Sequence, residues 1–132
     1  MTSRRNLPQP PSKPGKATPT HTLLRARLER LHEGHLAQHR PAQAEVVSMV
    51  MADLAERDAH GTQKYGTTHQ HDNGRDHTID AYQELMDAIV YLEAQVQARP
   101  TPLIRQAGSY ATKALMLIAE ELKQQETQED PQ

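Results

Sequence analysis

Residues 76–99 read DHTIDAYQELMDAIVYLEAQVQAR, and their periodicity decides the fold. At about 100° per residue, Asp76, Asp80, Glu84, Asp87 and Tyr91 fall within an arc of about 80°. Ile79, Leu85, Met86, Ile89, Val90, Leu92 and Val96 spread over roughly 140–160°, wider than the single stripe of an ordinary surface helix. A helix of this kind packs against more than one neighbour and carries an acidic strip between them. Pro100 and Pro102 end it, since a residue before proline is pushed out of helical backbone.

Working outward, the spacing predicts three more helices. Leu24, Leu28, Leu31 and His35 recur at steps of four and three, which marks a helix from Thr20 to Arg40. Pro41 suits the first turn of a second helix running to about Ala59 and stopping at Gly61. Residues 62–73 hold Gly66 and a run of polar residues and lead into Asn73-Gly74, a loop. Asn73 or Asp72 would cap the third helix, with Asp76 in its favourable first turn. The fourth helix spans about 102–124, with Leu103, Ala107, Ala111, Ala114, Leu115, Ile118 and Leu122 on one side. No strand and no internal repeat is read. The expectation is an all-α four-helix bundle over 20–125 as a single domain. Residues 1–19 hold five of the nine prolines and read as a disordered basic tail. Residues 126–132 read as a flexible acidic tail.

Composition sets bounds on function. The 132 residues contain no Phe, Trp or Cys and four Tyr. Absence of Cys excludes a disulfide scaffold, a thiolate zinc site and a Cys nucleophile. No apolar run approaches the roughly 18 residues of a membrane span, and no hydrophobic stretch follows the basic N-terminus as a signal peptide requires. The expected setting is therefore cytoplasmic, without a membrane partner. A core lacking large aromatics would be thin in a monomer, which points to a homodimer or homotetramer. Residues 1–18 carry four basic and no acidic side chains, whereas the rest carries 11 basic and 17 acidic, a net −6. An acidic body argues against a nucleic-acid groove.

Two carboxylate pairs carry the candidate chemistry. Asp53 and Glu56 lie i, i+3 on the second helix, and Glu84 and Asp87 repeat that spacing on the third, so each pair shares a face. Asp53 projects onto the flank of the apolar face, between Val46, Met49 and Val50. An unpaired carboxylate is costly there unless a cation meets it. Oxygen donors without thiolates suit a hard ion, Mg²⁺ or Mn²⁺, and Mg²⁺ prefers a few carboxylates plus substrate phosphate oxygens. Lys64 and Arg75 flank the connecting loop, where they would clamp phosphates. His69, His71 and His77 cluster near this loop without the spacing of a helical histidine pair.

Asp53-Leu-Ala-Glu56, followed by Glu84-Leu-Met-Asp87, resembles the paired acidic helices of the MazG-like all-α nucleoside triphosphate pyrophosphohydrolases. Gly61-Thr-Gln-Lys64-Tyr65-Gly66, Asn73-Gly74-Arg75-Asp76 and the run from Asp80 to Leu92 are similar to small members encoded by tailed phages and prophages. The likeness covers roughly residues 43–96. Asp53 stands where that family usually has Glu, and Ala52 replaces the first acid of its doubled motif. The resemblance implies Mg²⁺-dependent hydrolysis of a nucleoside triphosphate to a nucleoside monophosphate and pyrophosphate, in a bacterial or phage-infected cell. It implies Asp53, Glu56, Glu84 and Asp87 as metal ligands and Glu56 as the group that orients or deprotonates water. Lys64 and Arg75 would meet phosphate, and Tyr91 would line the base pocket. The alternative is a non-catalytic helical protein of phage origin that binds nucleotide or a host partner.

Overall fold

A computed structural model describes residues 2–129. Among these residues the regular structure is all helical, with no strand: a single 3₁₀ turn at Arg4–Asn6, then α1 (Thr20–Ala37), α2 (Pro41–Tyr65), α3 (His77–Ala98) and α4 (Pro102–Glu129). The chain divides into two compact units, Pro10–Arg75 on one hand and Met1–Gln9 with Asp76–Gln132 on the other. Each is built on a helical hairpin, α1 with α2 and α3 with α4. The range 20–125, expected as one domain, has parts in both.

In the first unit, α1 ends in a Schellman motif. The Arg40 N–H donates to the His35 carbonyl at 2.8 Å and the His39 N–H to the Leu36 carbonyl at 3.1 Å. His39 sits at the left-handed position with φ of +57°, a conformation glycine adopts at no steric cost. Pro41 then opens α2 in the first turn, where its missing N–H costs nothing. The inner face of α2 runs through Ala44 and Val47, both buried, to the half-buried Met51, Leu54 and Asp58. These steps of three and four residues keep one stripe against α1.

The end of α2 differs from the expected one. Gly61 is passed as an interior helical residue, and the helix stops at Gly66, whose φ is +77° and whose N–H donates to the Thr62 carbonyl at 2.8 Å. A glycine ends a helix only where left-handed backbone is needed, and Thr62-Gln63-Lys64-Tyr65 has no residue that breaks the turn first. Lys64 and Tyr65 therefore belong to the last turn of α2 rather than to a loop.

In the second unit, Asp76 is itself the cap of α3, and neither Asn73 nor Asp72 takes that role. Its carboxylate accepts from the Thr78 and Ile79 N–H groups at 3.0 and 3.1 Å. Thr101 caps α4 by accepting from the Ile104 N–H at 3.1 Å, with Pro102 following. Ile79, Leu115 and Leu122 are buried here. Helix α4 continues past the expected end near 124 to Glu129, because Gln125 to Glu129 contains neither proline nor glycine. Of the segment read as an acidic tail, 126–129 are helical and 130–132 lie outside the described residues.

The two glycines of α2 should respond oppositely to alanine. A Cβ at Gly61 meets nothing within 4 Å, so Gly61→Ala should raise stability by about 0.5–1 kcal/mol through helix propensity. Gly66→Ala should lower it by about 1 kcal/mol, since only glycine holds φ above zero cheaply. Urea midpoints measured at fixed pH check both signs.

Candidate functional site

Helix α2 has a second face, about 180° from the one that meets α1. Val46, Met49, Asp53, Glu56, His60 and Lys64 lie along it, and all are exposed. The flank on which Asp53 was expected to sit among apolar neighbours is thus an outward one, where Val46 and Met49 are 56% and 58% exposed. A carboxylate in this position is hydrated and carries no burial cost. Asp53, Glu56 and Lys64 line one shallow depression together with Arg57 and Tyr65. The Lys64 ammonium lies 5.2 Å from the centroid of the Tyr65 ring, and its charge suits the carbonyl end of the helix.

On α3 the acidic strip survives as a surface feature. Glu84, Asp87 and Tyr91 are exposed, Tyr91 at 72%. Asp80, on the same strip, is held by the Gln9 side-chain amide at 2.7 Å, and Gln9 also accepts from the Asp76 N–H at 2.7 Å. Asp80 is therefore a tether for the N-terminal segment, while Glu84 and Asp87 remain open to solvent. The two carboxylate pairs belong to different units. Among the described residues, no group of three or more His, Asp or Glu side chains is gathered closely enough to hold a metal ion.

Arg75 occupies a different environment from Lys64. It lines a cavity of about 550 Å³ within Pro10–Arg75, whose walls include Pro11 and Ser12, His21 of α1, Arg57, Asp58 and Tyr65 of α2, and His69. The Arg75 guanidinium donates to the Pro10 carbonyl at 2.8 Å. Asp58 accepts from the Thr68 hydroxyl at 2.6 Å and lies 3.9 Å from the His21 imidazole. Arg57 and Gly61 line both this cavity and the acidic depression, as does Tyr65. The periodicity of the helices missed this cavity, because its residues come from four separate segments.

The cavity wall depends on a polar latch. The segment before α1, read from composition as a tail, is held along the 66–76 connection by hydrogen bonds. Asp72 accepts from the Lys16 N–H at 2.6 Å and from the Ala17 N–H at 3.2 Å. The Lys13 N–H donates to the Asn73 carbonyl, and the Gly15 N–H to the Gln70 side chain, both at 3.0 Å. The Asp72 carboxylate occupies the space a Cβ at residue 15 would need, so a larger residue there would displace the carboxylate from the latch. Asn73 is buried at 3%, and its side-chain oxygen accepts from the Arg75 N–H at 3.1 Å.

The backbone N–H of Lys16, seconded by that of Ala17, holds the Asp72 carboxyl below its usual value of 3.8. A depressed folded value means that the carboxylate form stabilises the latch above the unfolded pKa and that this contribution is lost as pH falls through the folded one. Stability of the wild-type chain should therefore drop below about pH 4 more steeply than that of Asp72→Asn. Thermal unfolding followed from pH 7 to pH 2.5 checks this; parallel curves for the two proteins would remove Asp72 from the latch. Compared against protein-family models, curated proteins and solved structures, the chain matches none of them.

Proposed function

We propose that the protein hydrolyses nucleoside triphosphates to nucleoside monophosphate and pyrophosphate with Mg²⁺ or Mn²⁺. The observation that carries this reading is the pairing of functions on α2. Asp53, Glu56 and Lys64 share one outward depression, and Arg57, Gly61 and Tyr65 join it to the basic cavity that contains Arg75. Carboxylates and cations side by side are what a metal–triphosphate substrate asks of a surface.

Asp53 with Glu56 on α2, and Glu84 with Asp87 on α3, are two exposed pairs of oxygen donors spaced i, i+3. They are the ligand type that suits Mg²⁺ or Mn²⁺, and the resemblance is what assigns them as its ligands. Bound there, the metal would neutralise phosphate charge and acidify water. Glu56 orients or deprotonates the attacking water. Lys64 and Arg75 bind phosphate oxygens as a point charge and as a planar fork respectively. Tyr91, on the same strip as Glu84 and Asp87, lines the base. The resemblance to MazG-like enzymes supports the same assignment, and with it the four-helix bundle of that type.

The active form in this reading is a homodimer or homotetramer. Leu103, Tyr110 and Leu117 recur every seven residues on α4 and are 78%, 61% and 67% exposed. A seven-residue apolar repeat left in water is the seam by which helices associate. Leu117→Glu should reduce the solution mass measured by light scattering to that of a smaller assembly, with helix content retained.

Pyrophosphate release from each common NTP and dNTP with Mg²⁺ tests the activity. Glu84→Ala and Glu56→Gln should each lower the rate at least 100-fold, the order of loss expected when a metal ligand or a base is removed. Wild-type release no faster than that of Glu84→Ala would overturn the hydrolase reading. Metal-dependent nucleotide binding without release would then favour the non-catalytic alternative.

A further inference from the structure

We infer that the cavity bounded by α1, α2 and the N-terminal segment is a binding site for a small organic phosphate monoester that needs no metal. The inference shares Arg75 with the hydrolase reading, but it concerns an anion held by cationic side chains alone.

Size comes first. About 550 Å³ lies inside the range of small-molecule sites and far exceeds one phosphate group, which leaves room for an organic part. Charge comes second. The lining holds two guanidinium groups, Arg57 and Arg75, and two imidazoles, His21 and His69, against one carboxylate, Asp58. Asp58 already accepts from Thr68 at 2.6 Å and faces His21 at 3.9 Å. Arg57 forms no ion pair among the described residues. Its charge has an open cavity beside it, and a dianion is what that charge would recruit.

Position comes third. The Arg75 guanidinium is held to the wall by the Pro10 carbonyl at 2.8 Å, and the Arg75 N–H by buried Asn73 at 3.1 Å. A donor fixed before the ligand arrives loses little entropy on binding. Three threonines, residues 62, 67 and 68, also line the cavity. The Thr67 and Thr68 hydroxyls donate to the Thr68 carbonyl and to Asp58, which leaves their lone pairs for the ligand's own hydroxyl groups. Tyr65 lines it too while remaining 72% exposed, which leaves the ring face away from Lys64 available to the organic part. Pro11 and Ser12 wall the cavity on the side of the N-terminal segment, so its dimensions suit a small molecule rather than a polymer.

The test is calorimetric titration of the full chain in EDTA with inorganic phosphate, ribose 5-phosphate and the four common nucleoside monophosphates. At least one monoester should bind saturably at roughly 1 mM or below and more tightly than inorganic phosphate. Arg57→Ala should weaken that binding at least tenfold, and Arg57→Lys by an intermediate factor, because the charge remains and the fork is lost. Arg30→Ala, on exposed α1 surface, should bind as the wild type does. Matching thermal midpoints for the three variants exclude unfolding as the cause. The inference is overturned if no monoester saturates, if inorganic phosphate binds as well as every monoester, or if Arg57→Ala binds like the wild type. The titration is run without Mg²⁺ and the pyrophosphate assay requires it, so a failed assay and a failed titration are separate results.

Discussion

The protein has very little large apolar material to bury, and its other features answer that shortage. Among the described residues, Ala44, Val47, Ile79, Leu115 and Leu122 are the apolar side chains that reach burial, two in one hairpin and three in the other. A buried Leu or Ile contributes on the order of 2 kcal/mol, and an Ala much less. Hairpins held by so few contacts need connectors that fix the helix ends closely. The α1–α2 turn does so with a Schellman motif, and Asp76 and Thr101 do so with side-chain caps. The same shortage leaves Leu103, Tyr110 and Leu117 exposed along α4, apolar surface that a second copy could cover.

Where apolar contacts are few, polar ones hold the irregular segments. The chain before α1 carries almost no large apolar side chain, yet it lies along the 66–76 connection through Asp72, Gln70 and Asn73. In the other unit, Gln83 donates to the Arg5 and Leu7 carbonyls at 2.9 and 3.0 Å, and Arg4 pairs with Glu129 at 2.7 Å. Exposed ion pairs such as Arg4–Glu129 contribute little. Hydrogen bonds from two backbone N–H groups to a carboxylate, as at Asp72, contribute more and also set direction.

The number of helices and their all-α character were legible because long amphipathic periods and proline stops act locally. Asp76 was legible as a first-turn acid but not as the cap, since Asp72, Asn73 and Asp76 all have suitable side chains. Only the path of the incoming chain, which occupies Asp72 and Asn73, decides among them. The choice between Gly61 and Gly66 failed for a related reason: a helix tolerates glycine at about 1 kcal/mol, so the stop needs a left-handed residue as well as a small one. The acidic pairs were legible by spacing. Their surroundings were not, because periodicity places Asp53 beside Val46 and Met49 without saying whether that face is covered.

Helix α2 shows what two opposite faces allow. One face meets α1 through Ala44, Val47 and Leu54, and small residues there permit close approach. The other carries Asp53 and Glu56 into solvent, followed by Lys64. Between them, on the edge, lies Arg57, which lines both the acidic depression and the basic cavity. A guanidinium one residue after a glutamate is rotated by about 100°, enough to face a different neighbour while staying within a few ångströms of it. Opposite charges so placed would cancel if they folded onto one another, and no ion pair between Arg57 and Glu56 or Asp53 forms among the described residues. The helix therefore keeps an anion-seeking and a cation-seeking surface apart on adjacent faces. That separation is the arrangement on which the roles proposed for α2 depend.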